Sequence, residues 1–387
     1  MSTPAGSVDH VYVHFPFCVL KCPYCDFNSH ARREHEVEGY VEALLLEAAA
    51  RAAGLHPRTI FVGGGTPTHA PPAVLERYVA GVRRIVGDTR LTEVTVEANP
   101  GSVTPEAARA LVAAGVTRVS MGAQSFDARH LKTLGRVHGP DDTRRSVEIL
   151  RSAGIGRLSV DLILALPGQT LAEQACDVEQ ALALGTEHLS AYVLTYEEGT
   201  PFTRWMREGR LPPPDDEREA EHQAVVAAQL AAAGFERYEV SNFARPGARC
   251  EHNLGYWTNA NWAALGAGAH GHVDGRRWKN LSDPARYAAA VRAQGHAEEW
   301  SETVDAPTRL FETLMMGLRL SDGVDLDRAQ RLTGLDARVL HRDVLQQHVR
   351  DGLLELDGPR LRPTPRGLDL CSYIARALLA EPVDSGA

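Results

Sequence analysis

Short β-branched runs alternate with longer amphipathic segments from about residue 10 to residue 195. Each run is followed by a polar or glycine-rich loop and then by an Ala/Leu/Glu-rich segment whose apolar residues recur at helical spacing. The pattern predicts six strands, at 10–15, 59–62, 93–96, 118–122, 158–162 and 188–194, and five helices, at 37–53, 73–86, 105–114, 140–153 and 171–184. Alternation of this kind indicates parallel strands joined by right-handed crossovers. Because no dinucleotide-binding fingerprint follows the first strand, we expect an α/β fold in which the six strands form an open, partial (β/α)6 barrel.

The pattern changes at a stiff polar break, 211–216, whose sequence is LPPPDD. A helix (217–233) and a strand (237–240) follow, and then an irregular stretch rich in His, Asn, Gly and Trp. The last part is predicted to be a winged-helix-like α+β module, with helices at 309–318, 326–332 and 337–351, a turn at 357–359 between two short strands, and a final helix that ends at 379. We therefore expect three parts: the barrel (1–210), an accessory segment (211–305) and the winged-helix-like domain (306–387).

Composition and charge narrow the function classes. The 387 residues are 44% hydrophobic and 24% charged, which is ordinary for a folded globular protein. The net charge is −9, and from Ser301 onward 14 acidic residues face 11 basic ones, so the C-terminal domain lacks the basic surface of a nucleic-acid binder; a structural or partner-docking role is favoured. No apolar run reaches the ~18 residues of a spanning helix. Residues 1–7 lack the features of a signal peptide, so we expect a cytoplasmic protein.

Three of the six cysteines, Cys18, Cys22 and Cys25, lie in one loop directly after the first predicted strand. In a reducing compartment, three thiolates this close together indicate either zinc or an iron–sulfur cluster. Spacing alone leaves zinc open, with a fourth ligand available from His14, Asp26 or His30. The position of the loop favours the cluster, because barrel enzymes build their active sites where the strands end. Three cysteines on a cubane cluster leave one iron free for a ligand.

Polar residues and glycines also follow the other five predicted strands. They are 63–67 (GGGTP), Glu97, Gln124, Asp161 and 196–198 (YEE). Each of these alone is typical of a turn or a helix cap, but the carboxyl ends of parallel strands share one rim. The glycines leave room for a ligand against the backbone. Glu97 or Asp161 can accept hydrogen bonds from ribose hydroxyls, and Gln124 and Arg136 can bind the carboxylate of an amino acid. The rim therefore predicts a pocket for a nucleoside joined to an amino acid.

These motifs together resemble a known superfamily. Residues 12–18 (YVHFPFC), the three-cysteine loop, 63–67, 124–125 and 134–136 (LGR) are similar to those of the radical S-adenosylmethionine (SAM) enzymes, in the branch of oxygen-independent coproporphyrinogen III oxidase. The resemblance covers nearly the whole chain. It implies a [4Fe-4S] cluster on Cys18, Cys22 and Cys25, with SAM chelated by the free iron. The residues implied to contact SAM are Tyr12, Tyr24, Gly64, Gly65, Thr66, Glu97, Gln124, Arg136 and Asp161.

This sequence differs from that of the oxidase in two ways, and these differences indicate which relatives within the branch it resembles more. The oxidase carries a further cysteine two residues after the third cluster cysteine, where this chain has Phe27. The oxidase also has a long N-terminal extension that helps to enclose its substrate, whereas 17 residues precede Cys18 here. An enzyme that generates a radical must keep water and stray hydrogen donors away, so the missing closure argues against oxidase chemistry. Residues 22–30 (CPYCDFNSH) are instead similar to the haem chaperones of the branch.

The segment 250–257 (CEHNLGYW) resembles the HNxxYW motif that is connected with haem binding in those chaperones. The resemblance implies haem contact by His252, Tyr256 and Trp257, with an imidazole to bind the iron and aromatic rings to pack against the porphyrin. Cys250, His270 and His272 are near enough in sequence to be alternative ligands. Without the resemblance, His252 and Trp257 are typical of residues in a buried loop.

The function that the resemblance implies is that of a haem chaperone, which carries a [4Fe-4S] cluster and SAM, binds haem and transfers it to haem-requiring proteins such as those of the respiratory chain. The alternative is an enzyme, either an oxygen-independent coproporphyrinogen III oxidase or another radical SAM enzyme acting on a porphyrin. A DNA-binding regulator that uses the cluster as a sensor is a third hypothesis, which the acidic C-terminal domain disfavours. The expected partners are haem, its acceptor proteins and a second copy of the chain in a homodimer. We expect no nucleic acid and at most peripheral membrane contact, because the sequence shows no basic amphipathic helix.

Overall fold

The structure, a computed structural model, describes residues 7–380 and confirms the alternation of strands and helices in the first half of the chain. The ends of the first and last predicted parts, 1–6 and 381–387, lie outside the described residues. In chain order the elements of this half are β1 (Val8–Phe15), β2 (Phe17–Cys18), β3 (His30–Ala31), α1 (Val37–Arg51), β4 (Leu55–Gly64), α2 (Pro72–Val86), β5 (Glu93–Ala98), α3 (Pro105–Ala113), β6 (Arg118–Gln124), α4 (Ala128–Thr133), α5 (Pro140–Ala153), β7 (Arg157–Leu164), α6 (Leu171–Ala183), β8 (His188–Val193) and α7 (Pro201–Arg207). The six predicted strands correspond to β1 and β4 to β8, and the five predicted helices to α1, α2, α3, α5 and α6.

Six parallel strands form the wall of the open barrel, in the order β1-β4-β5-β6-β7-β8. Neighbours in space are neighbours in sequence, as expected when a crossover helix follows each strand. One apolar core packs β1, β4, β5 and β6 against α1, α2, α3 and α5, and a second core packs β7 and β8 against α6. Helix starts are fixed locally: the Thr170 side chain accepts from the Glu173 N–H, and the Glu173 carboxylate accepts in return from the Thr170 N–H at the start of α6. Because the six strands run in one direction, their carboxyl ends share one rim, and β1 passes there into the cysteine loop.

The accessory segment extends the barrel sheet at both of its edges. Its elements are α8 (Asp216–Ala232), β9 (Glu236–Arg237), β10 (Asn242–Ala244), α9 (Glu251–Trp257), β11 (Trp262–Leu265), β12 (His270–Val273), β13 (Arg276–Asn280), α10 (Pro284–Gln294) and β14 (Glu298–Thr303). Strand β11 pairs in parallel with β1, and β12, β13 and β14 continue the sheet in antiparallel pairs. At the other edge β10 pairs with β8, and β9 pairs with β10. A single 12-stranded sheet therefore runs through both parts.

The strand predicted at 237–240 is wrong in its bounds. The chain turns between β9 and β10, where the buried carboxylate of Glu239 accepts hydrogen bonds from the backbone N–H of Ser241, at 3.0 Å, and from the side-chain amide of Asn242. These local hydrogen bonds satisfy the turn and leave two short strands on either side of it.

A buried glutamate on α1 ties the barrel to the strands added beyond β1. The side chain of Glu47 is fully buried and accepts four hydrogen bonds: from Arg51 Nε (3.1 Å), Gly266 N (2.9 Å), Asn280 Nδ2 (2.8 Å) and Tyr287 Oη (2.6 Å). Three of these donors belong to the accessory segment. The carboxylate therefore fixes the position of β11 to β13 relative to the barrel wall.

The C-terminal domain confirms the winged-helix-like prediction. It contains α11 (Ala306–Gly317), β15 (Val324–Asp325), α12 (Leu326–Thr333), α13 (Ala337–Leu340), α14 (Arg342–Arg350), β16 (Leu354–Asp357), β17 (Arg360–Pro363), α15 (Pro365–Asp369) and α16 (Cys371–Ala380). A three-stranded sheet in the order β15-β17-β16 and the helices share an apolar core of their own. The single helix predicted at 337–351 is wrong: it is divided into α13 and α14 because the backbone of His341 leaves the helical region, with φ −115° and ψ 26°. Among residues 7–380, none of the helices combines the length and apolar character of a membrane-spanning segment.

Candidate functional site at the barrel rim

The three-cysteine loop is held at both of its ends. Strand β2, which contains Cys18, pairs in parallel with β3, and the N–H of His30 donates to the carbonyl of Pro16 at 2.7 Å. Within the loop, the N–H of Cys25 donates to the carbonyl of Cys22 at 3.1 Å. The three cysteines are free thiols and partly exposed. Burial raises the pKa of the Cys18 and Cys25 thiols, so metal binding would have to displace their protons.

The spacing of the thiols bears on the choice between zinc and a cluster. Within the described residues, only Asp127, His130 and Glu173 place three ligand atoms of His, Cys, Asp or Glu within 4.8 Å of one another, so at least two of the three cysteine sulfurs lie farther apart than that. One tetrahedral zinc ion with Zn–S bonds of about 2.3 Å would hold its sulfurs roughly 3.8 Å apart. A cluster binds each thiolate on a different iron and needs wider spacing. The donor set therefore fits an iron–sulfur cluster better than one zinc ion.

His14, one of the three candidates for a fourth zinc ligand, is already engaged. Its Nε2 lies 2.7 Å from the carbonyl of Asn28, and its Nδ1 lies 2.9 Å from the hydroxyl of Tyr12. A carbonyl can only accept, so Nε2 carries the proton and Nδ1 accepts from Tyr12. Burial lowers the pKa of His14 to about 4, which keeps the ring neutral. His14 thus positions Tyr12, the first of the predicted SAM residues.

A chain of polar contacts connects two of the cysteines. Thr66 Oγ1 lies 3.5 Å from Cys18 Sγ and accepts from Asn99 Nδ2 at 2.8 Å. Arg136 Nη2 donates to Asn99 Oδ1, and Arg136 Nη1 lies 3.6 Å from Cys22 Sγ. The sequence assigned roles to Thr66 and Arg136, whereas Asn99, whose amide connects them, was given none.

Arg136 also gathers the residues at the ends of β6 and β7. Its Nη2 donates to the carbonyl of Gly122 at 2.8 Å, and Gly122 is opposite Asp161 in the β6–β7 register. The carboxylate of Asp161 accepts from Ser120 Oγ at 3.2 Å, and the Gln124 side chain folds back over Gly122. Tyr24 lies nearby, and its ring packs edge-on against Phe202 with centroids 6.1 Å apart. The structure thus brings Tyr24, Gln124, Arg136 and Asp161 to one side of the rim.

The glycine run serves the packing of the chain itself. A Cβ on Gly64 would lie 2.3 Å from the ring of His14, and one on Gly65 would lie 2.6 Å from the carbonyl of Phe17. The N–H of Gly64 donates to Glu97 Oε2 at 2.9 Å. Protein atoms thus occupy the positions that side chains would take at these two residues, while Gly64 itself still lines the large cavity described below.

Glu97 is a desolvated carboxyl group on the other side of the rim. Burial raises its pKa to about 7, and the N–H of Gly64 opposes that shift by stabilising the carboxylate. The group is half-buried and opens into a cavity, so it can accept from a ligand hydroxyl when ionised and donate to an acceptor when protonated.

A cavity of about 650 Å³ lies between the cysteine loop and strands β11 to β13. Predicted SAM residues line one part of it, namely Tyr12, Gly64 and Glu97, and aromatic and cationic residues line another, namely Phe27, Tyr256, Trp262, Lys21, His270 and Lys279. A second cavity of about 120 Å³ is lined by Cys22, Thr66 and Arg136 among others. The larger volume is in the usual range for a site that binds a small molecule or cofactor.

The three residues of the predicted haem motif point to different places. His252 is 1% exposed, with Nδ1 2.7 Å from Thr59 Oγ1, Nε2 2.9 Å from Tyr256 Oη, and its ring stacked on Phe61. Tyr256 lines the large cavity. Trp257 packs toward Arg319 of the C-terminal domain, with the guanidinium 5.8 Å from the ring. Both nitrogens of His252 are thus occupied in this structure.

The alternative ligands differ in their access to the cavity. Cys250 and His272 are buried, with Cys250 Sγ 3.4 Å from Glu93 Oε1 and His272 Nδ1 3.3 Å from the carbonyl of Ala260. His270 is exposed and lines the large cavity. Sequence proximity grouped these residues, but their access to the cavity depends on neighbours that are distant in sequence: His272 is covered by its partner Trp262 on β11, whereas His270 lies beyond that pair.

We expect Gly64→Ala to lower the free energy of unfolding by about 2–3 kcal/mol, because a methyl group must adopt φ 108° and enter the ring of His14. Binding of SAM, measured by calorimetry on the cluster-loaded protein, should weaken as well. Gly87→Ala is the control, since Gly87 has φ 82° but no atom within 4 Å of its added Cβ, and it should cost only about 1 kcal/mol. Equal losses in urea unfolding would contradict a specific role for the His14 contact.

Comparison with known families and relatives agrees with this geometry. Residues 12–177 match the Radical SAM superfamily, and residues 304–370 match the HemN C-terminal domain. The chain is 35% identical over 374 residues to a protein of Bacillus subtilis (strain 168) named "Heme chaperone HemW", covering 96% of this chain and 99% of that one. It is 36% identical over 387 residues to the "Heme chaperone HemW" of Escherichia coli (strain K12), covering 96% and 98%.

Among solved structures, coproporphyrinogen III oxidase (HemN) from Escherichia coli, described as a radical SAM enzyme, superposes with a TM-score of 0.84. The match covers 97% of this chain and 91% of that one at 22% identity. This likeness establishes a common fold for the barrel and the C-terminal domain.

Proposed function

The chain belongs to the HemW haem-chaperone family within the radical SAM superfamily, and from this premise we propose that it binds haem and transfers it to haem-requiring proteins. We propose further that Cys18, Cys22 and Cys25 hold a [4Fe-4S] cluster and that the rim around Tyr12, Glu97 and Arg136 binds SAM. When bound, a cluster with one open iron would chelate the amino and carboxylate groups of SAM and could supply an electron to it. Tyr12, Glu97 and Arg136 would orient the bound SAM.

The large cavity is the observation that carries the proposal. Its walls combine residues of the predicted SAM site with an uncovered aromatic surface, so a flat apolar ligand would lie next to the cysteine loop. Phe27 is 59% exposed, although phenylalanine is usually buried, and its carbonyl accepts from Lys21 Nζ at 3.0 Å. An exposed aromatic ring at the mouth of a cavity is typical of a binding surface.

Phe27 also bears on the alternative function. The sequence places this phenylalanine where the oxidase has a further cysteine, and the structure puts it on the wall of the cavity rather than in the core. A phenyl ring there offers apolar contact to a porphyrin but neither a thiol hydrogen nor a metal ligand. We therefore favour binding of haem over oxidative decarboxylation of coproporphyrinogen III.

The cellular setting follows from the same proposal. We propose that the protein works in the cytoplasm, with at most peripheral membrane contact, and delivers haem to acceptors that include proteins of the respiratory chain. We also propose that cluster and SAM control assembly and release of the haem-loaded form, with a homodimer as one of its states. No nucleic acid takes part.

The test measures both the turnover of coproporphyrinogen III and the transfer of haem to an acceptor protein. Cluster-reconstituted protein is incubated anaerobically with SAM, a reductant and coproporphyrinogen III, and the porphyrins are separated by chromatography; in parallel, haem-loaded protein is mixed with an apo-haem protein and the absorption spectrum of the acceptor is followed. We expect no multiple-turnover protoporphyrinogen and a stoichiometric appearance of the holo-acceptor. Protoporphyrinogen over several turnovers would establish an oxidase, and failure to bind haem at all would refute the chaperone function.

A further inference from the structure

Strands β12, β13 and β14 place three functional side chains next to one another across the sheet. His270 on β12 is directly opposite Lys279 on β13, and Lys279 is directly opposite Trp300 on β14. Residues opposite each other in antiparallel strands project from the same face. His270 and Lys279 both line the large cavity, and the ring of Trp300 lies 6.2 Å from that of His270. The row His270–Lys279–Trp300 therefore faces the cavity region.

The ring of His270 is available as a ligand. Within residues 7–380 no hydrogen bond to its ring nitrogens is found, whereas its backbone carbonyl accepts from Trp262 Nε1 at 2.8 Å and fixes the strand. Burial, with a smaller contribution from Lys279, lowers the pKa of His270, so the imidazole is neutral near pH 7 and keeps a lone pair for a metal. His252, Cys250 and His272 lack this combination, because each is buried and hydrogen-bonded.

Charged groups of both signs line the large cavity: the ammonium groups of Lys21 and Lys279 and the carboxyl groups of Asp26 and Glu97. The chain has three lysines, Lys21, Lys132 and Lys279, and two of them line the large cavity. Lys279 Nζ lies 3.2 Å from Glu299 Oε2, and Lys21 Nζ donates to the carbonyl of Phe27. Both ammonium groups retain further donors, and a carboxylate is the acceptor that a lysine binds best. Haem presents two carboxylates on one edge of an apolar plane.

The aromatic residues around these groups match the rest of that ligand. Phe27, which lines the cavity, is 59% exposed, Trp300 beside His270 is 41% exposed, and Trp262 and Tyr256 also line the cavity. Exposed aromatic rings on a cavity wall provide flat apolar surfaces for a planar ligand.

We propose that His270 provides the axial nitrogen ligand to haem iron and that Lys279 and Lys21 bind the haem propionates. This inference rests on the proposed function, since it assigns the residues of the haem site. It assigns the iron ligand to β12 rather than to the HNxxYW segment. The HNxxYW segment then has a positioning role, because His252 holds Tyr256 by a hydrogen bond and Tyr256 forms part of the wall of the large cavity.

The ligand is tested by His270→Ala and His270→Cys, with His296→Ala as the matched control because His296 is an exposed histidine of the same segment that does not line the cavity. We expect His270→Ala to weaken haem binding about tenfold or more, as loss of a metal ligand does, and to shift the absorption and electron paramagnetic resonance spectra. Free imidazole should restore the original spectrum, and His270→Cys should replace it with a thiolate-type spectrum. Cluster content and circular dichroism, measured for each variant, check that it is folded and holds its cluster.

The propionate contacts are tested with Lys279→Ala and Lys21→Ala against Lys132→Ala, which removes the lysine outside the cavity. Each cavity variant should weaken haem binding roughly threefold to tenfold, and should leave binding of haem dimethyl ester, which lacks the two charges, unchanged. Equal loss for haem and its ester would overturn the charge assignment. Unchanged haem spectra in both His270 variants would overturn the ligand assignment while the haem-binding function stands, and a wild-type protein that binds no haem would refute the proposed function instead.

Discussion

Cys22→Ser is expected to abolish the iron–sulfur cluster and, with it, the binding of SAM. Only three cysteines lie in the loop, so loss of one leaves two thiolates, and a serine hydroxyl is a hard oxygen donor that ligates iron–sulfur clusters poorly. Cys22 also lies at one end of the chain of polar contacts that runs through Arg136, Asn99 and Thr66 to Cys18. The protein after anaerobic reconstitution should therefore contain little iron and sulfide and lack the broad visible absorption of a cluster.

The substitution should leave the fold intact, because the Cys22 side chain is only partly buried and the loop is anchored by the β2–β3 pair. We expect a change of less than about 1 kcal/mol in the free energy of unfolding of the cluster-free protein. Cys176→Ser is the matched control: Cys176 is exposed on α6, and its replacement should preserve iron content, absorption and SAM binding. A wild-type protein that takes up zinc but no iron, or a Cys22→Ser protein that retains four irons, would sink the cluster assignment.

The barrel was predictable because its signals are local. Each strand from β1 to β8 that forms the wall is a compact apolar run, and each crossover helix has its own start signal, as Thr170 and Glu173 show for α6. The cysteine loop and the rim residues followed because parallel strands must end at one edge. These inferences use only residues that are close in sequence, together with that general rule about parallel strands.

The added strands could not be predicted in the same way, because their pairing partners are distant in sequence. Strand β11 pairs with β1, more than 240 residues earlier, and all six side chains of the edge strand β14 are partly or fully exposed, so it lacks the apolar alternation of a half-buried strand. Consequently the wall of the cavity that carries Trp262, His270 and Lys279 was read as an irregular stretch. The same limit applies to His252, whose two hydrogen-bond partners, Thr59 and Tyr256, come from different segments.

Glu47→Leu is expected to lower the free energy of unfolding by about 3–5 kcal/mol, the largest loss of stability that we anticipate for a single side chain outside the rim. Leucine is similar in size to glutamate, so packing is largely preserved, but the N–H of Gly266, the amide of Asn280 and the hydroxyl of Tyr287 lose their buried acceptor. Arg51 loses one of its two carboxylate partners and keeps Glu298 at 3.1 Å. Buried donors without acceptors cost more than the hydrogen bonds contribute when they are formed.

Urea unfolding of cluster-free protein, followed by circular dichroism, measures this loss, and Glu42→Leu is the control on the same helix. The Glu42 side chain is 66% exposed and pairs with Arg292 at 3.6 Å, so its replacement should change stability by no more than about 0.5 kcal/mol. Tyr287→Phe combined with Glu47→Leu should cost less than the sum of the two single changes, because both remove the same 2.6 Å hydrogen bond. Since Glu47 fixes the strands that carry His270 and Lys279, haem affinity should fall in Glu47→Leu even where the protein is fully folded and holds its cluster. A loss of stability below about 1 kcal/mol would mean that packing alone, and not this carboxylate, holds the added strands against the barrel.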